Sequence, residues 1–523
     1  HLGRGASQCL FRIGNFVAGD FVDVSRRTVA EAPTLTAEQS ILIALLMPLA
    51  GALGIALAGR INANLRETVT LTTAAGLAFV VWGMLPELMD GGRPFVRIAE
   101  IVPGVEIAFR VEPLGMLFAA LASGLWIVNS IYSIGYMRGN KESKQTRFYV
   151  FFALSLAATI GIAFAANLFT LFLFYEALTL STYPLVSHKG DEKTVRSARV
   201  YLGILLLTSI GLLLPAIIWT YFVAGTGDFT PGGILQGQLE GPALGLLLGL
   251  FVFGIGKAAV MPVHRWLPAA MVAPTPVSAL LHAVAVVKAG VFTVTKVIVY
   301  IFGVDYLFAE PSSSWLLYAA AFTVVAASLV ALRQQNLKRL LAYSTVAQLS
   351  YVVMASAILK PLAEIGASLH MVAHAFGKIT LFFAAGAIYT AAKKTEIGQL
   401  AGIGRRMPWT MTAFTIGALS MIGVPPTGGF VSKWYILAGA FQSDNYLAIA
   451  TIIASTILNA AYFLPIIFAA WFGREAADNK LEHGEAPLTM VIALTVTAAL
   501  TIGLFIFNGP VIALEAQMLG VSK

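Results

Sequence analysis

Five charged side chains lie inside stretches of this chain that are otherwise apolar. They are one glutamate and four lysines: Glu176, Lys257, Lys288, Lys378 and Lys433. A charged side chain at the centre of a lipid bilayer costs roughly 2.5–3.5 kcal/mol even on lenient insertion scales. A chain that keeps several such charges needs a physical use for them, and the usual use is to move an ion or a proton.

A polar stripe runs through the segment that contains Lys378. His370, His374 and Lys378 are spaced at i, i+4 and i+8, so they share one face of an apolar helix. Because histidine titrates near neutral pH, this stripe suits a proton relay. Two alternatives stay open: the His pair could bind a metal, although neither an adjacent glutamate nor a cysteine supports one, and the stripe could be polar packing without transport. The preceding segment adds polar atoms that could hold ordered water, at Tyr343, Ser344, Thr345 and Gln348.

Glu176 and Lys257 are natural partners, because each charge lowers the cost of burying the other. A buried lysine releases its proton when the nearby carboxylate moves away or is itself protonated, so the pair could act as a proton gate. Lys288 lies in the middle of its segment, with His282 one and a half turns before it. Lys296 lies near the outer end of the same segment, and we expect its side chain to snorkel to the membrane surface.

The composition places these charges in a membrane. Of 523 residues, 58% are hydrophobic and only 11% are charged, whereas a soluble domain has about 25% charged residues. A spanning segment needs about 20 apolar residues and must satisfy its own backbone hydrogen bonds. We therefore predict an all-α polytopic membrane protein with about fourteen transmembrane helices.

Two of these segments, the seventh and the twelfth, are interrupted by proline and glycine. The first reads FVFGIGKAAVMPVHRWLP over residues 251–268 and the second reads GVPPTGGFVSK over residues 423–433. Proline removes a helical hydrogen bond, and a lysine lies beside each break. Since the breaks are five spans apart, the two helices run in opposite directions, which predicts two inverted five-helix repeats with the ion path at the breaks. The alternative is that proline and glycine are simply common in membrane helices.

The predicted organisation has five regions. They are an amphipathic, peripheral N-terminal segment at residues 1–37, helices 1–3 at 38–137, a first repeat of helices 4–8 at 138–303, a second repeat of helices 9–13 at 314–472, and a cytoplasmic loop with helix 14 at 473–523. The N-terminal segment lacks the continuous apolar core of a signal peptide, and its scattered phenylalanines fit a surface helix.

The net charge of +8 follows the loops rather than forming a nucleic-acid-binding patch. Basic residues fall in alternate loops, for example at 138–147 and 393–406, whereas the loop at 225–241 has none. The positive-inside rule places the basic loops in the cytoplasm. We therefore predict a multi-pass protein of the cell (inner) membrane that has no nucleic-acid partner.

The chain lacks the motifs of nucleotide and redox cofactors. It has no glycine-rich nucleotide loop, no CxxC pair and no nucleophile elbow, and Cys9 is the only cysteine. We therefore predict that it binds no NADH, flavin, iron–sulfur cluster, ATP or metal ion. Any energy source other than an ion gradient must then come from a partner protein.

Five longer strings around the buried charges resemble a known superfamily. It comprises the antiporter-like subunits of Mrp cation/proton antiporters, respiratory complex I and membrane-bound hydrogenases. The resemblance runs in order from Glu112 to Gly439 without a large gap. The strings are NLFTLFLFYEALTLSTYPLV, GKAAVMPVHRWLPAAMVAPTPVSALLHAVAVVKAGVF, LKRLLAYSTVAQLSY, HAFGKITLFFAAG and GVPPTGGFVSKWYILAG.

The resemblance implies a role for each buried charge. Glu176 matches the glutamate of the family's fifth helix, and Lys257 matches the lysine of its broken seventh helix. The remaining matches are Lys288 to the eighth-helix lysine or histidine, His374 and Lys378 to the eleventh-helix connection between half-channels, and Lys433 to the twelfth-helix exit. In the family these residues form a hydrated axis of charges along the membrane plane, so the resemblance implies a proton relay.

Several functions fit this resemblance. The leading hypothesis is a proton-translocating subunit of an Mrp-type cation (Na⁺)/proton antiporter, assembled with other membrane subunits in the lipid bilayer. The second is a proton-pumping membrane-arm subunit of a complex I-like quinone oxidoreductase or a membrane-bound hydrogenase. The third is the membrane subunit of a DAB-type inorganic carbon (CO2/bicarbonate) accumulation complex, which couples to the proton gradient. A fourth is a scaffold that has lost transport.

Overall fold

The computed structural model describes residues 36–474 and 484–520 of the chain. Nearly all the regular structure in these ranges is helical, as predicted. One departure is an antiparallel hairpin between the second and third spans, formed by β1 (Phe95–Val102) and β2 (Val105–Arg110). Val105, Ile107 and Phe109 alternate along β2, and a Pro-Gly turn joins the strands, so part of the pattern that indicates a hairpin was present in the sequence.

The helices follow the predicted order of the spans. Their bounds are α1 Ala37–Ala58, α2 Ala63–Met89, α3 Pro113–Gly139, α4 Gln145–Phe164, α5 Leu168–Val186, α6 Glu192–Ala224, α7 Gly241–Gly254, α8 Thr275–Phe302, α9 Pro311–Leu332, α10 Leu337–Ile358, α11 Pro361–Ala392, α12a Pro408–Ile422, α12b Gly428–Gln442, α13 Tyr446–Phe472, α14 Leu488–Ile506 and α15 Gly509–Met518. Short helical turns lie at Gly256–Ala258, Val263–Arg265, Trp266–Ala269, Ala270–Val272, Val304–Ala309, Ile397–Leu400 and Ile403–Arg405.

Twelve helices in the described ranges are long and apolar enough to cross a membrane. The chain is therefore a multi-pass membrane protein, but the predicted number of about fourteen is not confirmed by this measure. The reason is that the seventh and twelfth predicted spans are not continuous helices. After α7, the chain runs through short turns until α8, and α12 divides into two halves around residues 423–427. Both breaks lie where proline and glycine predicted them.

Several helices begin at a residue that caps them. Asn167, Asp191, Asn336 and Asn445 precede α5, α6, α10 and α13, and each side-chain oxygen accepts a hydrogen bond from the backbone N–H three residues later. Such a cap contributes about 1 kcal/mol and fixes where the helix starts. The position of every polar residue along these helices follows from that start.

The helices that carry Lys288 and Lys378, and α10 beside them, are the most deeply buried spans of the described ranges. The apolar windows of α8, α10 and α11 are 100%, 89% and 94% buried, whereas those of α2, α6 and α13 are 33% buried. α11 packs against α8, α10, both halves of α12 and α14. Residues on α11 are therefore shielded from the lipid on all sides and can only interact with other parts of the protein.

The basic loops meet at one end of the bundle. Arg147 donates to the His188 carbonyl oxygen at 2.8 Å, and Lys393 Nζ donates to Asn140 Oδ1 at 2.7 Å. Asn336 also forms a β-bridge with Glu396. These contacts join four loops that the charge pattern assigns to the same side of the membrane. The predicted inverted repeats and region boundaries stay predictions, and the predicted N-terminal segment lies outside the described residues apart from its last two.

Candidate proton-relay site

The break after α7 determines which groups the Lys257 side chain contacts. The turn Gly256–Ala258 carries Lys257 into the interior, where its side chain is fully buried. Lys257 Nζ donates to the Tyr175 carbonyl oxygen at 2.8 Å and to Thr179 Oγ1 at 2.6 Å, and it lies 3.1 Å from the centroid of the Tyr175 ring. Neutral oxygens and an aromatic face thus surround Lys257 Nζ, and no carboxylate of the described residues is paired with it.

The ion pair predicted between Glu176 and Lys257 is not formed in this structure. Tyr175 and Thr179 are one turn apart on α5 and share a face, whereas Glu176 lies about 100° further round the helix. A lysine bound to the first face does not reach the second. Glu176 is half-buried, and within the described ranges neither of its carboxylate oxygens has a hydrogen-bond partner. The two groups remain neighbours, but the lysine binds the backbone beside the glutamate instead.

Lys288 on α8 contacts His374 on α11. Lys288 Nζ and His374 Nδ1 are 2.6 Å apart, and both residues are fully buried. Because an ammonium group can only donate, a charged Lys288 requires an unprotonated Nδ1 on His374. The helix α8 contains a π-helical turn at Leu280–Val284, a feature common near functional sites. That turn places His282 against the Phe382 ring, and no described residue forms a hydrogen bond with either nitrogen of His282.

The histidine stripe of α11 reaches the broken twelfth span. The His370 and His374 rings are 6.3 Å apart between centroids, and His370 Nδ1 lies 2.9 Å from Ser432 Oγ on α12b. The predicted common face is therefore present, and it leads from Lys288 towards the residue next to Lys433. No group of three or more His, Cys, Asp or Glu side chains in the described ranges is placed to hold a metal ion.

A series of polar contacts begins at Lys378 and crosses to α13. Lys378 Nζ donates to Ser344 Oγ at 2.7 Å and more weakly to the Leu341 carbonyl oxygen at 3.3 Å. Tyr462 Oη donates to Ser344 Oγ at 2.9 Å and also contacts Asn459 Oδ1. All these side chains are buried. Of the four polar residues predicted on α10, Ser344 is thus the one that binds the relay lysine.

The same series ends at Lys433, which binds the end of α12a. Lys433 Nζ donates to the carbonyl oxygens of Met421 at 3.0 Å and Ile422 at 2.9 Å. Asn459 Nδ2 donates to the same Met421 oxygen at 3.1 Å. The last carbonyl groups of a helix have no partner within it and carry partial negative charge. The break therefore creates the acceptors that hold this buried lysine.

A cavity of about 320 Å³ opens at the end of the bundle where the basic loops meet. It lies beside the start of α8, and Lys338 on its wall donates to the Ala273 carbonyl oxygen at 2.6 Å. Water that enters the cavity can therefore reach Lys338 and the start of α8. Its lining includes Tyr136, Lys189, Thr275, Lys338, Tyr389 and Lys394.

Sequence reasoning missed two polar residues of α13 that connect Lys378 to Lys433, and it predicted the wrong environment for Lys296. Asn459 and Tyr462 are polar residues one turn apart in an apolar segment, a signal that could have identified them. The expected snorkelling of Lys296 was wrong, because the residue is fully buried and its Nζ lies 3.1 Å from Glu112 Oε2. Nζ also donates to the Ala165 carbonyl oxygen at 2.7 Å, so the side chain points to partners rather than to the surface.

Comparison with known proteins identifies the family. The model of the NADH:quinone oxidoreductase/Mrp antiporter transmembrane region matches residues 165–459, which include all six predicted relay residues. NADH-quinone oxidoreductase subunit N of Desulforudis audaxviator is 31% identical over 487 residues, covering 88% of this chain and 95% of that protein. A probable K(+)/H(+) antiporter subunit of Rhizobium meliloti is 31% identical over 440 residues, covering 81% of this chain and 43% of that protein.

The fold leads to the same group of proteins. A chain of the Mrp complex from Dietzia sp. DQ12-45-1b superposes with a TM-score of 0.78 at 21% identity, covering 91% of this chain and 97% of that one. At this identity the likeness concerns the fold alone. Together with the sequence matches, it places the buried charges in a known type of membrane protein. The chain belongs to the NADH:quinone oxidoreductase/Mrp antiporter family of membrane subunits.

Proposed function

We propose that this chain is a proton-translocating subunit of a multi-subunit cation/proton antiporter of the Mrp type in the cell (inner) membrane. The observation that carries the proposal is the buried series of contacts from Lys378 to Lys433. The hydroxyl groups of Ser344 and Tyr462 can both donate and accept, so they can pass a proton. The amide of Asn459 holds the far end of the series in place.

The relay has three parts in this proposal. Water in the cavity among the basic loops delivers protons from the cytoplasmic side to the region of Lys288 and His374. The stripe on α11 and the hydroxyl groups of Ser344 and Tyr462 carry them laterally towards Lys433. Asn459 and the Met421 carbonyl oxygen hold the two ends in position, and water at the break completes the transfer, because neither an amide nor a carbonyl oxygen passes a proton. Glu176 and Lys257 control the other end of the axis. The two breaks then play equivalent parts in two inverted repeats, as broken helices do in other transporters.

The gate at Lys257 has two states in this proposal. In the state described above, Lys257 binds the Tyr175 carbonyl and Thr179, and the Glu176 carboxylate has no hydrogen-bond partner among the described residues. In the second state, the lysine moves one position round α5 and pairs with Glu176. A lysine side chain holds its proton more tightly when a carboxylate lies beside it and less tightly when the carboxylate is further away. Movement between the two sites therefore binds a proton in one state and releases it in the other.

The relatives support assembly with other membrane subunits. Their names identify them as subunits of a quinone oxidoreductase and of a K(+)/H(+) antiporter, and the structural neighbour is part of an Mrp complex. The antiporter relative and the Mrp fold favour cation exchange as the driving reaction. The equally identical oxidoreductase relative, which the chain covers almost completely, favours a second candidate: the membrane arm of a quinone-linked redox enzyme.

Reconstitution of the native complex separates these two candidates. The tagged chain would be purified with its partners from its own membrane and inserted into liposomes that contain a pH-sensitive dye. For an antiporter, a Na⁺ or K⁺ gradient alone should move protons, and removing the cation gradient should stop them. For a redox arm, protons should move only when an electron donor and a quinone are added. Proton movement under neither condition would contradict both candidates.

A further inference from the structure

A second group of buried charged residues lies at the opposite end of the bundle from the basic loops. It contains Glu112 before α3, Lys296 on α8, Glu364 near the start of α11 and Glu515 on α15, and all four are buried. The other end of α11 contacts the basic loops, since Asn140 Nδ2 donates to Thr390 Oγ1 at 2.7 Å. These four residues have no part in the relay described above.

Of the three carboxylates in this group, Glu112 is the one with a cation in contact. Lys296 Nζ lies 3.1 Å from Glu112 Oε2, and Arg110 adds a longer contact of 3.9 Å to Glu112. Neither Glu364 nor Glu515 belongs to any ion pair found among the described residues. Buried carboxylates without a counter-charge are strongly disfavoured in their ionised form, so they hold a proton or share one.

Glu515 is held in this position from two sides. α15 packs against α3 and α11, and Val511 and Ile512 contact the small apolar cluster around Ile365 and Leu369. On the other side, Gln517 accepts a hydrogen bond from Arg93 at 3.3 Å and donates to the Met89 carbonyl oxygen at 2.8 Å. The burial of the carboxyl group is therefore a consequence of how the helix docks.

The carboxyl group of Glu515 points to polar neighbours without being satisfied by them. Neither of its oxygens has a hydrogen-bond partner among the residues that the structure describes, and the Ser368 hydroxyl lies beside it. Burial raises the pKa of Glu515 to about 8. The charged and titratable groups that face this region are Arg93, Arg110, Glu112, Lys296, Tyr300 and Glu364.

Glu364 connects this region to α8 and α10. Its Oε2 accepts a hydrogen bond from Ser356 Oγ at 3.1 Å, and the Ser356 and Thr295 hydroxyl oxygens are 3.1 Å apart. Its second oxygen has no hydrogen-bond partner in the part of the chain that the structure describes. Glu364 precedes His370 by six residues on α11, or about 9 Å along the helix axis. The carboxyl group is therefore one to two turns from the end of the histidine stripe.

We propose that Glu364 and Glu515 are a pair of neighbouring proton acceptors through which protons leave the relay on the outer side, and that the Glu112–Lys296 ion pair next to them balances the local charge. The ligand of this site is a proton that comes from His370 or Lys433. This inference rests on the proposed transport function. It adds an outer acceptor that requires α15, an element with no part in the relay itself.

Infrared difference spectroscopy of the purified complex tests the pair without requiring transport. A protonated buried carboxyl group gives a C=O stretching signal, and this signal should disappear as the pH rises from about 6 to about 10, because the carboxyl group of Glu515 ionises above the usual range. Glu515→Gln and Glu364→Gln keep the side-chain shape and should each remove or shift the signal. Glu38→Gln changes an exposed glutamate and should leave the signal intact. An unchanged signal in both Glu515→Gln and Glu364→Gln would overturn the proposal.

Proton flux in proteoliposomes provides the second test. Glu515→Gln and Glu364→Gln should each lower the flux per folded complex at least about ten-fold, the scale expected for losing a positioned proton acceptor. If either variant fails to assemble, the other one decides, because the two residues lie on different helices. Full flux in the assembled variant would overturn the proposal. So would loss of the infrared signal on adding Na⁺ at constant pH, because the site would then bind a cation.

The two measurements separate this inference from the function on which it rests. If the unmodified complex moves no protons but its infrared signal depends on Glu515, the pair is present and the transport function is wrong. If the complex moves protons and both Glu515→Gln and Glu364→Gln retain flux and signal, the transport function stands and the proposed role of Glu364 and Glu515 is wrong.

Discussion

Removing the charge of Lys433 tests the exit of the relay most directly. Lys433→Met keeps a flexible side chain of nearly the same length but takes away the ammonium group. The Met421 carbonyl oxygen then still accepts from Asn459, whereas the Ile422 carbonyl oxygen loses its donor at 2.9 Å. One buried carbonyl without a partner costs about 1–3 kcal/mol. Since a folded domain has a stability of about 5–15 kcal/mol, we expect the complex to assemble.

Two further substitutions at the same position distinguish charge from packing. Lys433→Ala also removes buried methylene groups, and by analogy with Met→Ala it should cost about 2–5 kcal/mol. Lys433→Glu places a carboxyl group against two carbonyl oxygens that can only accept. It must therefore hold a proton to make a hydrogen bond there. Because that proton can be exchanged, we expect partial flux in Lys433→Glu and none in Lys433→Met or Lys433→Ala.

The assay is proton flux per folded complex in liposomes, with the amount of assembled complex measured separately. Lys360→Met is the matched control, because Lys360 lies over the Phe308 ring outside the relay. That variant should keep normal flux. Full flux in Lys433→Met would refute the reasoning, since it would show that the buried ammonium group only satisfies the end of α12a.

Three other outcomes are expected. Glu176→Gln and Lys257→Ala should each abolish flux, yet the coupling energy between their effects on stability should stay below about 1 kcal/mol, because the two side chains are neighbours but are not paired in this state. Tyr462→Phe removes the hydroxyl that joins α10 to α13, which should slow flux at least about ten-fold and cost about 1 kcal/mol. An impermeant thiol reagent should label a cysteine placed at Ser314 in intact cells but not one placed at Ser143, because Ser143 lies in a basic loop.

Each of these outcomes has a control and a contrary result. A coupling energy well above about 1 kcal/mol between the two gate variants would show that the ion-paired state dominates. Tyr446→Phe, at an exposed tyrosine, should leave flux unchanged. Normal flux in Tyr462→Phe would show that the Tyr462 hydroxyl is not part of the proton path. The labelling experiment uses a chain without Cys9. Labelling at Ser143 alone would reverse the orientation.

Composition and local pattern alone determined much of this protein. The low share of charged residues required spanning helices, since a backbone in lipid must satisfy its own hydrogen bonds. Proline and glycine located both breaks, because their effect on a helix is local. The i, i+4 spacing placed His370, His374 and Lys378 on one face without any knowledge of neighbours. The resemblance of long motifs then led to the correct superfamily.

The tertiary structure decided which partner each buried charge binds. Lys257 binds the backbone beside Glu176, Lys296 pairs with Glu112, and Lys433 binds helix carbonyls. Tyr462 completes the relay from a helix that carries none of the predicted charges. Helical periodicity specifies the face on which a residue lies, but not how neighbouring helices are rotated and shifted against each other. A difference of one residue in that packing is enough to exchange a carboxylate partner for a carbonyl oxygen.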